Sequence, residues 1–190
     1  MSFNYLNEKE EALKLDIRKK IHELITEHPG LHFRELQRRT DLATGQLEYH
    51  LHYLLRSNLL QAEKKEHNIR YYPLGLQKEE QELLRVLRQR TIRKTILLLL
   101  EKEPRKHKEF VVALGISPSS VSWYLQRLTE QKIIFRKESI VQRADQKKHQ
   151  KVPERTYTLI EPQKIIKTLI FYKESFTDKL VDRFIETWEN

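Results

Sequence analysis

Apolar residues recur along this chain at intervals of three and four, then switch to alternation, then begin the same sequence again. Residues 9–27 carry Leu13, Ile17, Ile21, Leu24 and Ile25 at helical spacing, and Pro29-Gly30 ends the run. A short helix over about 32–39 follows, with Phe33 and Leu36 inward. Residues 40–44 form a turn plugged by Leu42, and a third helix sets Leu47, Leu51, Leu54 and Leu55 on one face. Asn58 breaks that helix. Leu59-Leu60-Gln61-Ala62 then opens an extended run, residues 64–68 make a polar tip, and Ile69 to Leu74 return as a strand.

The pattern is used twice. Ile17-Arg18-Lys19-Lys20-Ile21 is answered by Ile92-Arg93-Lys94-Thr95-Ile96. Leu36, Leu42, Leu47, Tyr49, Leu51, Leu54 and Leu60 are answered by Phe110, Ile116, Val121, Trp123, Leu125, Leu128 and Ile134, each pair 74 apart (125 − 51). Arg70 to Leu74 and Arg155 to Leu159 close the copies with a shared Arg…Leu pattern at an offset of 85 (159 − 74), which predicts an 11-residue insertion in the second hairpin. A period near 75 suits a duplicated small domain better than a solenoid unit. In the second copy Ser117 before Pro118 marks a helix start over 119–131. Residues 75–91 read as a helical connection. Residues 162–189 read as one amphipathic helix whose stripe of Ile165, Ile166, Leu169, Ile170, Phe176, Leu180, Phe184, Ile185 and Trp188 requires burial. The expected domains are 1–77, 78–161 and the terminal helix 162–190.

Three helices followed by a hairpin is the winged helix-turn-helix order. Pro29-Gly30-Leu31-His32-Phe33-Arg34-Glu35-Leu36, then Leu42-Ala43-Thr44-Gly45-Gln46-Leu47-Glu48-Tyr49-His50-Leu51 and Leu54, resembles the winged-helix module of archaeal and ArsR/MarR-like transcription regulators. The likeness covers about 60 residues per copy. It implies a mainly α chain with small β-hairpin wings (α+β), built as two tandem winged helix-turn-helix domains plus the C-terminal amphipathic helix. It also implies a sequence-specific binder of double-stranded DNA, and the absence of cysteine makes a cytoplasmic protein the default expectation. The sequence departs from the family pattern at Asn58, where glycine is common, and at the acidic Glu48.

A recognition helix turns its N-terminal outward side chains to base edges, while the turn and short helix meet phosphates. In the first copy the outward set is Thr44, Gln46, Glu48, Tyr49 or His50, and His52 or Tyr53, with one of Tyr49 and His50 expected beneath the wing. Gln46 suits adenine and Glu48 suits cytosine. Arg38, Arg39, Arg56, Lys64, Lys65 and Arg70 suit the backbone. The second copy offers Ser117, Ser119, Ser120, Ser122, Tyr124 and Arg127, and Trp123 is assigned to the core. Its wing between Phe135 and Arg155 holds seven cations, Arg143, Lys147, Lys148 and Lys151 among them, against three carboxylates.

Composition narrows the field further. A formal charge of +9 attracts polyanions, RNA included. The absence of cysteine removes disulfides and thiolate metal sites. The four glycines are in none of the phosphate-cradling loops, and no nucleophile elbow is present, so no enzyme and no cofactor are expected. His28 with His32, or His50 with His52, are the candidate metal pairs, but the rings of His50 and His52 point about 200° apart on a helix, and no metal is expected. The longest apolar run, Ile96 to Leu100, is far short of a membrane span. The expected partners are double-stranded DNA and a second copy held through the terminal helix; the rival reading is a protein-interaction module in a nucleic-acid-associated complex.

Overall fold

The computed structural model describes residues 16–65, 68–145, 148–176, 181–182 and 184–186. Two compact units emerge: residues 1–85 with 172–177, and residues 86–171 with 178–190.

In the first unit, helix α1 (Asp16–Glu27) leads into strand β1 (Leu31–His32), then α2 (Phe33–Thr40), α3 (Thr44–Arg56), β2 (Leu60–Lys65) and β3 (Asn68–Pro73). The sheet order is β1-β3-β2, antiparallel throughout, with Leu31 opposite Tyr71 and Leu60 opposite Pro73. Helical spacing gathers Ile21, Ile25, Leu36, Leu47, Leu51 and Leu54 into one core, which Leu31, Leu60 and Tyr71 close from the sheet side. Fully burying each such side chain contributes about 1.5–3 kcal/mol, which makes this face the main stabiliser of the unit. Helix α4 (Lys78–Leu87) follows, and the boundary between units falls at Arg85/Val86 within it.

The second unit repeats the order: α5 (Arg90–Glu101), β4 (Arg105–Lys106), α6 (His107–Leu114), α7 (Pro118–Glu130), β5 (Ile134–Asp145) and β6 (Lys148–Leu159). Its sheet is β4-β6-β5. Phe110, Val121, Leu125, Leu128, Ile134 and Tyr157 are buried, with the Phe110 and Tyr157 rings edge to face at 6.0 Å. The duplication extends to backbone conformation. Asp41 and Gly115 end α2 and α6 with positive φ (53° and 64°), and Asn58 and Lys132 do the same beyond α3 and α7 (51° and 54°), again 74 residues apart (132 − 58).

Four expectations change. Each sheet has a third, two-residue strand, too short to show a period in sequence. The hairpin register pairs Leu60 with Pro73 and Ile134 with Leu159, an offset of 86 (159 − 73), so the insertion is 12 residues (86 − 74) and not 11. Each of the two paired strands gains six residues, and because a one-residue slip would turn every strand side chain to the opposite face, the tyrosine answering Tyr157 is Tyr71, each placed opposite the short strand.

The third change is at the C-terminus, where the helix ends at Phe171 as α8 (Pro162–Phe171) and a 3-10 turn follows over Lys173–Ser175. The Ser175 hydroxyl donates to the Glu27 carbonyl at 2.9 Å and lies 3.2 Å from His28 Nδ1, so the turn is tied to the end of α1 in its own unit. Ile165, Ile166, Leu169, Phe176 and Ile185 of that stripe are buried, and Leu180 and Trp188 lie outside the described residues. The fourth change concerns Trp123, which is 54% exposed rather than in the core.

Candidate nucleic-acid interface

Helix α2 is built to present cations. Its start is fixed by a capping box in which Glu35 N–H donates to His32 Nδ1 (3.3 Å) and the Glu35 carboxylate accepts from His32 N–H (3.2 Å). Burial is the largest influence on His32 and lowers its pKa below the usual 6.5, keeping the ring neutral and able to accept at Nδ1. With Leu36 inward, Arg34, Arg38 and Arg39 face solvent, and among the described residues no ion pair engages them. Arg34 is absent from the sequence-based set, although its spacing of four from Arg38 put both on one stripe.

The turn to α3 is braced by Gln37, whose amide donates to Thr44 Oγ1 (3.0 Å) and to the Leu42 carbonyl (3.4 Å). Ala43 at the N-cap provides no side-chain acceptor. Beyond it Leu47, Leu51 and Leu54 point inward, so Thr44, Gln46, Glu48, Tyr49 and Arg56 are left exposed. Tyr49 is 58% exposed, and the alternative between it and His50 resolves clearly: His50 is 8% exposed, edge to face with Tyr49 at 5.3 Å. His50 is thus corrected from a surface contact to a core group, since it lies about 60° from the Leu47 direction on the helix. Burial, and then the nearby Arg18 guanidinium, lower its pKa. Arg18 is itself buried and lies 3.5 Å over the Tyr53 ring.

On the first wing, Lys64 is exposed, whereas Lys65 is held by Glu82 at 2.8 Å. Glu82 also takes Arg85 at 3.0 Å, and these bonds, that of Lys65 first, hold its carboxyl below the usual range. Arg70 is half-buried and donates to the Gly30 carbonyl at 2.6 Å. Its role in the structure is to fasten the β1 turn.

In the second unit Ser117 caps α7 by accepting from Ser120 N–H at 3.1 Å, with Pro118 in the first turn. Its hydroxyl is also 2.9 Å from Ser119 Oγ and donates to Ser120 Oγ, so Ser117 bonds to both of the other hydroxyls. Ser122 lies 2.9 Å from His107 Nε2. Tyr124 and Arg127 are half-buried; the Trp123 ring meets Tyr124 edge to face at 5.0 Å, and the Arg127 guanidinium sits 5.2 Å over it. Helix α6 differs from α2, with Val112, 83% exposed, where α2 has Arg38. At the base of the second wing Arg155 and Arg136 share Glu138, at 3.0 and 3.6 Å, and Lys106 pairs with Glu154 at 2.8 Å. Arg143, Lys148 and Lys151 lie on the strands, but their side chains, and Lys147 altogether, fall outside the described residues. Among the described residues no group of three His, Asp or Glu side chains is arranged to hold a metal ion, and no helix is long and apolar enough to cross a membrane.

Residues 15–84 match a protein family described as an N-terminal HTH domain, HTH_HVO_0163_N. The first unit contains a helix-turn-helix domain. Over 135 residues, 71% of its length, the chain is 30% identical to a protein of Methanocaldococcus jannaschii described as the uncharacterized HTH-type transcriptional regulator MJ1398. It spans about a third (34%) of that relative's length. In the order of a helix-turn-helix α2 is the first helix and α3 the second.

Proposed function

We propose that this chain is a DNA-binding transcription regulator of the cytoplasm that reads duplex DNA through two tandem winged helix-turn-helix units, with α3 and α7 in major grooves and the wings on the backbone or minor groove. The observation that carries the reading is on the first unit, where unpaired Arg34, Arg38 and Arg39 on α2 flank an exposed α3 face of Thr44, Gln46, Glu48 and Tyr49. Cations on the first helix supply affinity, and polar side chains on the second supply discrimination. The helix-turn-helix match over residues 15–84 and the printed description of the archaeal relative agree with it. For the second unit the support is its repeated element order and the charge of its wing.

The test is a fluorescence-anisotropy titration of the full chain with mixed-sequence duplex DNA at two salt concentrations. Binding that weakens steeply with salt and falls on Arg38→Ala, Arg39→Ala and Gln46→Ala substitution is expected. Absent or salt-insensitive binding refutes the reading. A protein-binding role has one observation in its favour, the exposed Val112 in place of an arginine, and it gains if DNA is not bound.

A further inference from the structure

An indole stands on the outward face of α7. Val121, Leu125 and Leu128 define the inward direction, and Trp123, two residues beyond Val121, is turned about 200° from it. A large apolar ring at the crest of a solvent face gains nothing from burial there. The same position on α3 is held by Tyr49, also exposed, and each is the sixth residue of its helix (Thr44 to Tyr49, Pro118 to Trp123). Each ring is backed by its C-terminal neighbour edge to face, His50 at 5.3 Å and Tyr124 at 5.0 Å, and each has an arginine beside it, Arg18 at 6.0 Å and Arg127 at 5.2 Å from the ring centroid. The feature is thus a held aromatic platform made twice, in the N-terminal half of the helix that would enter a groove.

We propose that Trp123 is a specificity-determining residue of the second unit, reading the C5-methyl group of thymine in the major groove, with Tyr49 as its counterpart in the first. This rests on the DNA-binding reading above. In the major groove thymine alone among the bases shows a methyl group, so an apolar ring distinguishes it without any hydrogen bond. The serines around Trp123 carry little base code of their own, and the indole adds an apolar contact that they cannot make. Arg127, whose guanidinium lies 5.2 Å from the ring centroid, keeps a cation beside the apolar contact, where the phosphates of the same groove are the natural counter-charge.

The experiment uses duplexes enriched from a random-sequence pool by the full chain, each then made with thymidine or with deoxyuridine, which differ only in that methyl. The thymidine form should bind about fourfold more tightly for each methyl contacted. Trp123→Ala should weaken the thymidine form and leave the deoxyuridine form unchanged, removing one such step; Tyr49→Ala should remove the other. Equal weakening of both forms by Trp123→Ala, or no effect on either, overturns the proposal while leaving DNA binding intact. Failure of the unsubstituted chain to enrich any duplex overturns the DNA-binding reading and this proposal with it. A second measurement uses Trp188→Phe, which leaves Trp123 as the sole tryptophan. Its fluorescence should become shielded from acrylamide when an enriched duplex is added. No added shielding, or shielding that instead grows with protein concentration alone, overturns the assignment.

Discussion

Replacing Arg38 and Arg39 together by alanine separates the cations that are available to DNA from those already engaged in the fold. Both guanidinium groups stand exposed on α2, and no ion pair holds either among the described residues. Lys65 is bound to Glu82 and Arg70 to a backbone carbonyl. Each phosphate neutralised contributes about 0.9 to the slope of log affinity against log salt, so losing two contacts makes that slope shallower by about 1.8. Over a fourfold rise in salt, the parent chain then loses about tenfold more affinity than the double variant. Anisotropy with a labelled duplex across a salt series measures this, and circular dichroism checks that the fold survives. Arg70→Ala is the control, because its guanidinium already has a partner and its removal should leave the slope within about half a unit of the parent. An unchanged slope in the double variant, or an equal change in the control, would refute the assignment of α2 to the phosphates.

Three further outcomes follow from the fold. Arg70→Ala should cost about 1.5–3 kcal/mol of unfolding free energy by denaturant titration, since a charge-assisted bond to the Gly30 carbonyl is lost. His50, like His22 and His32, has a folded pKa below 6.5, so the unfolded chain takes up the proton first; thermal stability should be level above neutrality and fall as pH drops below about 6.5, and His50→Leu should lessen that fall. Lys132→Gly should raise stability by about 0.5–1 kcal/mol, because a left-handed conformation strains lysine by more than glycine's extra freedom in the unfolded chain costs; Asn58→Gly should gain less, as asparagine tolerates that conformation.

Much of this architecture is visible in the spacing of Leu47, Leu51 and Leu54 and its echo at Val121, Leu125 and Leu128, since three inward positions fix the orientation of a whole helix. The same wheel already separates His50, on the inner flank, from Trp123, at the outer crest; the assignment of Trp123 to the core followed its size and not its angle. The break after Phe171 was not legible, because no glycine or proline marks it. It coincides with a bond between Ser175 and Glu27, residues 148 apart, and local periodicity carries no trace of a contact so distant. The two-residue strands were hidden for the opposite reason: Leu31-His32 is too short to have a period at all. Cations that look alike in sequence, such as Lys64 and Lys65, differ only once the partner Glu82 is placed.

The 12-residue difference between the wings makes each a measuring rod of different length. Six additional residues per strand, at about 3.3 Å each, extend the second wing by about 20 Å, which along B-DNA corresponds to about six base pairs. Since the strand alternation repeats every two residues, that reach is adjustable only in steps: removing two residues from each strand shortens the rod by about 7 Å and keeps every side chain on its face, while removing one from each inverts the strand beyond the cut. On the proposed reading, in which this wing lies on DNA, the footprint of the second unit should change in increments of about two base pairs as its wing is trimmed.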